Sequence, residues 1–274
     1  MSHESSTNND RSAPIEPDFL AHQRIVLCRP SHPGNIGAVA RAMKTMGLGS
    51  RTASGQGSQL YLVNPLCEID EVAVRRASGA ADLLARCCVV PSLSEALIGC
   101  VGVFGMTVRP RELGPEPVTP REAVTQSYAL WQGGCMSAFV FGNETNGLTN
   151  EELQFCRAEV SIPTNADYGS LNLAAAVQIM TYLIREQCAQ VLKSPHAGAT
   201  RYVSDLASSD AVEGFYQQLE AALIVSGFHD PARPRRLIPK IRRIFERSRL
   251  EVDEVNILRG IVGALAKNDK TRAE

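Results

Sequence analysis

Polar residues suited to binding a small ligand follow a predicted strand in the middle of the chain. The strand, residues 138–141, leads into the segment GNETNGLTNEEL at residues 142–153. Two glycines there bracket Asn143, Glu144 and Asn146, which leaves backbone N–H and C=O groups accessible beside carboxylate and amide side chains. Ligands of parallel α/β sheets bind beyond the carboxyl ends of the strands. The segment therefore predicts a polar pocket for an adenosine or amino-acid group.

A second segment with ligand-binding character is DYGSLNLAAAVQIMTYLIR, residues 167–185. Turn residues open it, and apolar residues then recur every three or four positions, which predicts an amphipathic helix. Ser170 is placed to cap that helix through its side-chain oxygen. A predicted strand, residues 158–162, precedes the segment, so a strand, a polar loop and a capped helix meet at a sheet edge. The alternative is an ordinary loop-to-helix junction that binds nothing.

A block of positive charge near the C-terminus points to a polyanionic partner. The net charge is −1, yet residues 231–249 carry a single acid, Glu246, against eight basic side chains. The density of charge and the preference for Arg over Lys favour phosphate contacts, whereas the alternative is a solvated helix face. The residues predicted to contact phosphates are Arg235, Arg236, Lys240, Arg242 and Arg243.

Strands alternate with helices through most of the chain, which predicts an α/β fold with a mainly parallel sheet covered on both faces. The first long helix is predicted over residues 35–46, and Arg41 and Lys44 lie off its apolar face, toward solvent or a ligand. Past Cys188 the pattern becomes linker-like and then entirely helical, over residues 211–226, 237–247 and 252–266. We expect an α/β domain at 22–189, a linker at 190–204 and a small, basic, all-helical domain at 205–268.

Composition places the chain among globular proteins with one main and one smaller domain, with 274 residues, 44% of them hydrophobic and 21% charged. Residues 1–21 are polar and lack an apolar core, which predicts a disordered tail instead of a signal peptide or membrane anchor. No apolar run has the length of a membrane span. The eight cysteines form no CxxC pair, and the five histidines do not cluster with them. We therefore expect reduced thiols, a cytoplasmic protein and no metal site.

Two loops carry weaker signals. Residues 49–59 are polar and glycine-rich, but they match neither GxGxxG nor GxxxxGK[ST], so a nucleotide-dependent oxidoreductase or an NTPase has no motif support. Residues 110–120 form a proline-rich loop that includes Arg111 and follows Arg109. We expect this loop to be an ordinary surface loop, a lid or an RNA contact.

Three segments together resemble the SPOUT superfamily of RNA methyltransferases. They are SHPGNIGAVARAMKTMGL, FVFGNETNGLTNEEL and SIPTNADYGSLNLAAAVQ, and their order and spacing match the SpoU branch, which methylates ribose 2′-hydroxyls. The C-terminal stretches FYQQLEAALIVSGF, RRIFERSR and NILRGI resemble more closely a tRNA-modifying subgroup that methylates nucleotide 32 in the anticodon loop. The resemblance covers roughly residues 24–266.

The resemblance implies a deep trefoil knot near the C-terminal end of the sheet, a rare exception to unthreaded chains. It implies S-adenosylmethionine as the cofactor, and a homodimer that binds tRNA across both subunits and builds a composite active site. The residues implied to line the cofactor pocket are Met106, Thr107, Val108, Gly142, Ile162, Gly169, Ser170 and Leu171. The residues implied to lie near the reacting groups are Asn35, Arg41, Glu144, Ser170 and Asn172.

The resemblance gives Arg41 the central catalytic role, but a guanidinium hardly deprotonates and makes a poor general base. We expect Arg41 to clamp the phosphate beside the target ribose and to lower the effective pKa of its hydroxyl. The expected RNA surface also includes Lys44, Arg109, Arg111 and the basic C-terminal residues. Two alternatives stay open: a SpoU-type enzyme for ribosomal RNA or another tRNA position, and an RNA-binding protein of the same fold without turnover.

Overall fold

A computed structural model describes residues 18–49, 59–108, 111, 114–193, 206–246, 248 and 250–271. Within these ranges, one seven-stranded sheet has the order β3-β2-β1-β6-β4-β7-β5, and all of its neighbouring strands run parallel. The strands are β1 Gln23–Cys28, β2 Leu60–Val63, β3 Cys88–Val90, β4 Cys100–Met106, β5 Glu116–Val118, β6 Met136–Phe141 and β7 Ala158–Val160. The predicted parallel sheet is confirmed.

Helices cover the sheet and then continue alone toward the C-terminus. They are α1 Pro33–Thr45, α2 Glu71–Ala77, α3 Ala81–Ala85, α4 Leu93–Ala96, α5 Pro120–Gln132, α6 Asn150–Leu153, α7 Leu173–Lys193, α8 Ser209–Val225, α9 Leu237–Glu246 and α10 Val252–Thr271. The predicted helical C-terminal region is confirmed as α8–α10. The trefoil knot stays a prediction.

The core lies on both faces of the sheet, as the side-chain alternation of β1 illustrates. Ile25 and Leu27 point into one buried cluster, whereas Val26 and Cys28 point into another on the opposite face. Every residue of β1 is buried. A strand buried on both faces reads as a continuous apolar run, which is why the sequence predicts it well.

The structure corrects the start of the first domain. Residues 18–21 are predicted as part of a disordered tail, but Asp18–His22 forms a short 3₁₀ helix whose Phe19 is fully buried. The Phe19 ring packs edge-on against Tyr128 and Trp131 of α5, with centroid distances of 5.3 and 5.7 Å. The five residues of this helix are too few to show a period, so the sequence does not reveal the helical turn. The rest of the predicted tail lies outside the described residues.

Three further boundaries differ from the prediction. The helix of residues 167–185 begins at Leu173, and Asn172, not Ser170, caps it, because Asn172 Oδ1 accepts a hydrogen bond from the Ala174 N–H at 3.0 Å. The same helix continues to Lys193, into the predicted linker. Inside the proline-rich loop, β5 adds an edge strand beside β7, a position where the missing N–H of Pro117 is tolerated. The predicted loop at 49–59 falls mostly outside the described residues.

The helical C-terminal region has its own small core and rests on the sheet domain. The core is built around Phe215 and Tyr216 of α8 and Phe245 of α9, and the Phe215 and Phe245 rings lie edge-on at 5.0 Å. Asp210 Oδ1 accepts a hydrogen bond from the Gly99 N–H at 3.2 Å, which joins the start of α8 to the turn before β4. This region therefore lies against the side of the sheet where β4 begins.

Candidate active site

A large cleft opens at the carboxyl ends of three neighbouring strands, β6, β4 and β7. Each strand runs directly into a loop that lines the cleft. Ligands of parallel α/β sheets bind at this end of the strands, as expected from the sequence. All eight residues predicted for the cofactor pocket line it: Met106, Thr107, Val108, Gly142, Ile162, Gly169, Ser170 and Leu171. Separate stretches of the chain thus converge on one surface.

The loop after β6 is a tight turn whose shape depends on Gly142 and Asn143. A Cβ atom on Gly142 would lie 2.0 Å from the backbone carbonyl carbon of Gly147, so only glycine fits. The buried Asn143 side chain donates to the Arg29 carbonyl at 2.8 Å and accepts from the Thr145 N–H at 2.9 Å. These contacts fix the loop against the end of β1.

Hydrogen bonds join the three sequence segments that carry the family resemblance, beside this cleft. Glu144 Oε2 accepts from the N–H and the hydroxyl of Ser31 at 3.0 and 2.8 Å, and Glu144 Oε1 accepts from the side-chain amide of Asn35 at 3.0 Å. Asn35 Oδ1 in turn accepts from the side-chain amide of Asn172 at 3.1 Å. The predicted residues Asn35, Glu144 and Asn172 are therefore one connected network.

Electrostatics keeps Glu144 ionised within this network. Burial alone would raise the pKa of the Glu144 carboxyl, but the hydrogen bonds from Asn35 and Ser31 outweigh that effect and hold the pKa below its ordinary value. A carboxylate that only accepts forces Asn35 to present its N–H₂ to Glu144 and its oxygen to Asn172. The orientation of the Asn35 side-chain amide in the network is therefore fixed.

Sequence reasoning misses an ion pair that supports the same loop. Arg29 follows β1 and donates from Nε to Glu152 Oε1 at 3.0 Å and from Nη2 to Glu152 Oε2 at 2.9 Å. Arg29 Nη2 also donates to the Gly147 carbonyl at 3.3 Å, and the backbone φ of Arg29 is +50°. Glu152 also accepts from the Thr149 N–H in the capping box of α6, a cap whose Thr-x-x-Glu spacing is a local sequence signature of a helix start. No local sequence signal pairs Arg29 with a glutamate 123 positions away.

Arg111 supports the cleft from the other side. Its guanidinium donates to Asn150 Oδ1 at 2.9 Å and to the Leu148 carbonyl at 3.0 Å, and its own N–H donates to Glu159 Oε2 at 3.0 Å. Burial raises the pKa of Glu159 above its ordinary value, although the Arg111 N–H and charge oppose that shift. Glu159 Oε1 is buried without a hydrogen-bond partner among the described residues. Arg111, predicted to contact RNA, is thus joined to the loop after β6 and also lines the cleft.

Arg41 and Lys44 lie on α1 and are not among the residues that line the cleft. The Arg41 side chain is exposed. Lys44 Nζ donates to Asp82 Oδ1 at 2.6 Å and to the Gly79 carbonyl at 2.8 Å, on the exposed side of α1. One copy of the chain therefore joins Asn35, Glu144 and Asn172 by hydrogen bonds, and the exposed Arg41 side chain belongs neither to that network nor to the cleft lining.

The predicted basic residues of the helical region divide by exposure. Arg235, Arg236 and Lys240 are exposed, and Arg243 is half-buried. Arg242 is 8% exposed: its guanidinium forms two hydrogen bonds with Glu213, at 2.7 and 2.8 Å, and lies 4.4 Å above the Tyr216 ring. The predicted phosphate contact of Arg242 is thus replaced by a packing role, because a buried guanidinium needs its carboxylate partner. Arg109 lies outside the described residues.

The described part of the chain holds neither a metal-binding cluster nor a membrane-spanning helix. Among these residues, no cluster of three or more His, Cys, Asp or Glu side chains is arranged to hold a metal ion. No helix within the same ranges has both the length and the apolar character to cross a membrane.

Sequence comparison divides the chain at the same point as the structure. The profile of the SpoU rRNA Methylase family matches residues 22–182, and that of the tRNA methyltransferase TrmJ C-terminal domain matches residues 210–274. The chain is 45% identical to a tRNA (cytidine/uridine-2'-O-)-methyltransferase TrmJ from Pectobacterium atrosepticum, covering 91% of the chain and 98% of that protein. It is 43% identical to a tRNA (cytidine/uridine/adenosine-2'-O-)-methyltransferase TrmJ from Pseudomonas aeruginosa, covering 89% and 93%.

Solved structures give the same relationship. The crystal structure of TrmJ from Z. mobilis superposes with a TM-score of 0.74 at 27% identity, covering 89% of the chain and 98% of that protein. A putative methylase family protein from Neisseria gonorrhoeae superposes with a TM-score of 0.62 at 35% identity, covering 73% and 95%. The match to the first of these includes the helical C-terminal region as well as the sheet.

Proposed function

The chain belongs to the SpoU rRNA Methylase family, and we propose that it is an S-adenosylmethionine-dependent enzyme that methylates a ribose 2′-hydroxyl of tRNA, at nucleotide 32 of the anticodon loop. One observation carries the proposal: the Glu144–Asn35–Asn172 network joins three separate motif loops beside a single cleft. The family membership and the names of the relatives supply the reaction class.

The cleft suits S-adenosylmethionine in shape and polarity. Met106, Val108 and Ile162 offer apolar surface, while the backbone of the Gly142 turn offers polar groups close to a ligand. Thr107 Oγ1 at the cleft is buried without a hydrogen-bond partner among the described residues, as expected for a group that serves a ligand. When bound, S-adenosylmethionine supplies an electrophilic methyl group.

The chain's own task is to hold and activate the ribose hydroxyl. Ser170 lines the cleft with an exposed side chain, and Asn172 lies two residues further on. We assign Ser170 and Asn172 to the positioning of the ribose by hydrogen bonds, and the ionised Glu144 to the orientation of Asn35 and, through Asn35, of Asn172. Arg41 clamps the neighbouring phosphate, and its positive charge lowers the pKa of the hydroxyl.

A homodimer with a composite active site fits the position of Arg41. The Arg41 side chain lies outside the cleft of its own protomer, so it serves a site formed with a second copy. Tyr168 in the cleft loop and Tyr182 on α7 expose large rings on a monomer. Exposed aromatic surface of this kind is enriched at protein–protein interfaces. We assign these two exposed rings to the dimer contact and place the enzyme in the cytoplasm, with its tRNA substrate.

The helical region is proposed to choose the RNA. Its exposed Arg235, Arg236 and Lys240 supply phosphate contacts, and its sequence is the part that matches the TrmJ C-terminal domain. Arg242 is left out of this surface because it is buried against Glu213. The assignment of the target to nucleotide 32 rests on the resemblance of the helical region to the tRNA-modifying subgroup.

Nucleoside mass spectrometry tests the proposal. Unmodified bulk tRNA is incubated with the protein and S-adenosylmethionine, with Arg41→Ala and Arg41→Lys in parallel. We expect new 2′-O-methylcytidine or 2′-O-methyluridine in the anticodon loop, and none with Arg41→Ala. Full activity of Arg41→Lys would exclude a two-pronged phosphate clamp, because an ammonium lacks the guanidinium fork. Methylation of ribosomal RNA but not of tRNA would keep the reaction and change the substrate.

A further inference from the structure

The connection between α8 and α9 turns an aromatic ring outward. Phe228 is 70% exposed, whereas the next residue, His229, is 5% exposed. The His229 N–H donates to the Leu223 carbonyl at 2.9 Å, which ties the connection to the end of α8. Gly227 has a φ of +73°, a conformation that glycine adopts without strain and that reverses the chain just before Phe228. The ring therefore faces solvent while its neighbours are fixed.

Positive charge follows directly along the same connection. Arg233, Arg235 and Arg236 are exposed, and none of them forms an ion pair with another described residue. Their backbone is held by a turn in which the Arg233 N–H donates to the Asp230 carbonyl at 2.9 Å. The side chain of Asp230, the one acid of this stretch, is occupied by the Ala232 N–H at 2.9 Å. The connection thus carries an exposed aromatic ring at Phe228, followed along the chain by three exposed guanidinium groups and a single acid.

We propose that Phe228 is a stacking platform for an unpaired nucleobase, with the phosphates on either side bound by Arg233, Arg235 and Arg236. A phenyl ring offers a face that every base can stack on, and stacking requires a base that is not already inside a duplex. The guanidinium groups favour RNA over a protein partner, because they match a chain that carries a negative charge at each nucleotide. The inference rests on the proposed function and deepens it, since it makes the helical region a reader of single-stranded loops.

Equilibrium binding of two RNA probes tests the platform without requiring turnover. One probe is an unmodified anticodon stem–loop, and the other is a fully paired RNA hairpin stem of the same length. The variants are Phe228→Ala, Phe228→Leu and Phe228→Tyr, with Val225→Ala as the matched control, since Val225 is also exposed and ends α8. Affinity for S-adenosylmethionine and the melting temperature are measured for every variant.

We expect Phe228→Ala and Phe228→Leu to bind the stem–loop about tenfold more weakly, because stacking on one aromatic ring is worth about 1–3 kcal/mol per base. Phe228→Tyr and Val225→Ala keep their affinity to within about twofold, since the tyrosine ring still stacks. The paired probe shows no loss with any variant, and the affinity for S-adenosylmethionine stays unchanged. An unchanged affinity of Phe228→Leu for the stem–loop, or an equal loss of affinity for both probes, would overturn stacking.

A change in oligomeric mass on Phe228→Ala, with the affinity for the stem–loop intact, would assign the ring to a protein contact and also overturn the inference. Failure of the proposed function is distinguishable from these outcomes. It would appear as absence of methylation by the unsubstituted protein, whereas the platform is judged only by the binding of the two probes.

Discussion

The ion pair between Arg29 and Glu152 makes a quantitative prediction about cofactor binding. Its three hydrogen bonds, at 2.9–3.3 Å, connect the end of β1 to Glu152 and to the Gly147 carbonyl in the loop that lines the cleft. The side chains of Arg29 and Glu152 are 25% and 13% exposed. Removing one partner costs about 3–5 kcal/mol in a fully buried pair and about 0–1 kcal/mol in an exposed pair. We therefore expect Arg29→Ala to cost about 2 kcal/mol.

Part of that cost should appear as weaker binding of S-adenosylmethionine, because the supported loop forms one wall of the cleft. Since each 1.4 kcal/mol corresponds to a factor of about ten, the affinity should fall by about tenfold and by no more than about thirtyfold. Arg29→Lys should give an intermediate loss, because it keeps the charge but not the fork. Isothermal titration calorimetry with S-adenosylmethionine measures the affinity directly, and the melting temperature reports the remainder of the cost.

The matched control is Arg121→Ala, which breaks the surface pair of Arg121 with Glu186. Their side chains are 68% and 27% exposed, and neither residue lines the cleft. A surface pair is worth about 0–1 kcal/mol, so this variant should bind S-adenosylmethionine normally. The reasoning is refuted if Arg29→Ala binds S-adenosylmethionine as tightly as the unsubstituted protein, or if Arg121→Ala loses as much affinity.

Two further predictions concern Gly142, which lines the cleft, and Glu159 of β7. Gly142→Ala should lower the affinity for S-adenosylmethionine by at least about tenfold, because its Cβ would lie 2.0 Å from the Gly147 backbone, and a normal affinity in calorimetry would contradict the clash. The control is Gly260→Ala, in open space on α10, which should instead raise the free energy of unfolding by about 0.5–1 kcal/mol. Glu159→Gln should flatten the dependence of stability on pH. Burial raises the pKa of Glu159 in the folded chain, so the folded state holds its proton longer than the unfolded state, and stability declines as pH rises from the unfolded pKa through the folded pKa. Melting temperatures taken at about pH 5 and about pH 8 should therefore show a larger advantage for Glu159→Gln at the higher pH, and an advantage that shrinks toward high pH would contradict the sign.

Local patterns explain which parts of this molecule the sequence predicts. The strand-to-helix alternation and the Thr-x-x-Glu spacing of Thr149 and Glu152 each involve residues close together in the chain, and the structure contains both the alternation and the capping box. The residues that the family resemblance implies for the cofactor pocket line one cleft, but their apolar and polar pattern alone does not single them out.

Long-range partners explain what the sequence leaves open. Arg29 reads as one more charged residue after a strand until the fold brings Glu152 beside it. Arg242 belongs to a run of positive charge that reads as exposed surface, yet its neighbours in space are Glu213 and Tyr216. Residue type fixes what a side chain needs, whereas the packing of distant elements decides which partner supplies it. The same limit applies to Arg41, whose proposed partner lies on a second copy.

A single change in the RNA tests the central claim most directly. Two tRNA transcripts, identical except that one carries a 2′-deoxyribose at nucleotide 32, are incubated with the protein and S-adenosylmethionine bearing a radiolabelled methyl group. The account predicts label on the all-ribose transcript and none on the deoxy transcript, because the acceptor oxygen is missing there. Equal label on both transcripts, or no label on the all-ribose transcript, would contradict methyl transfer to that 2′-hydroxyl.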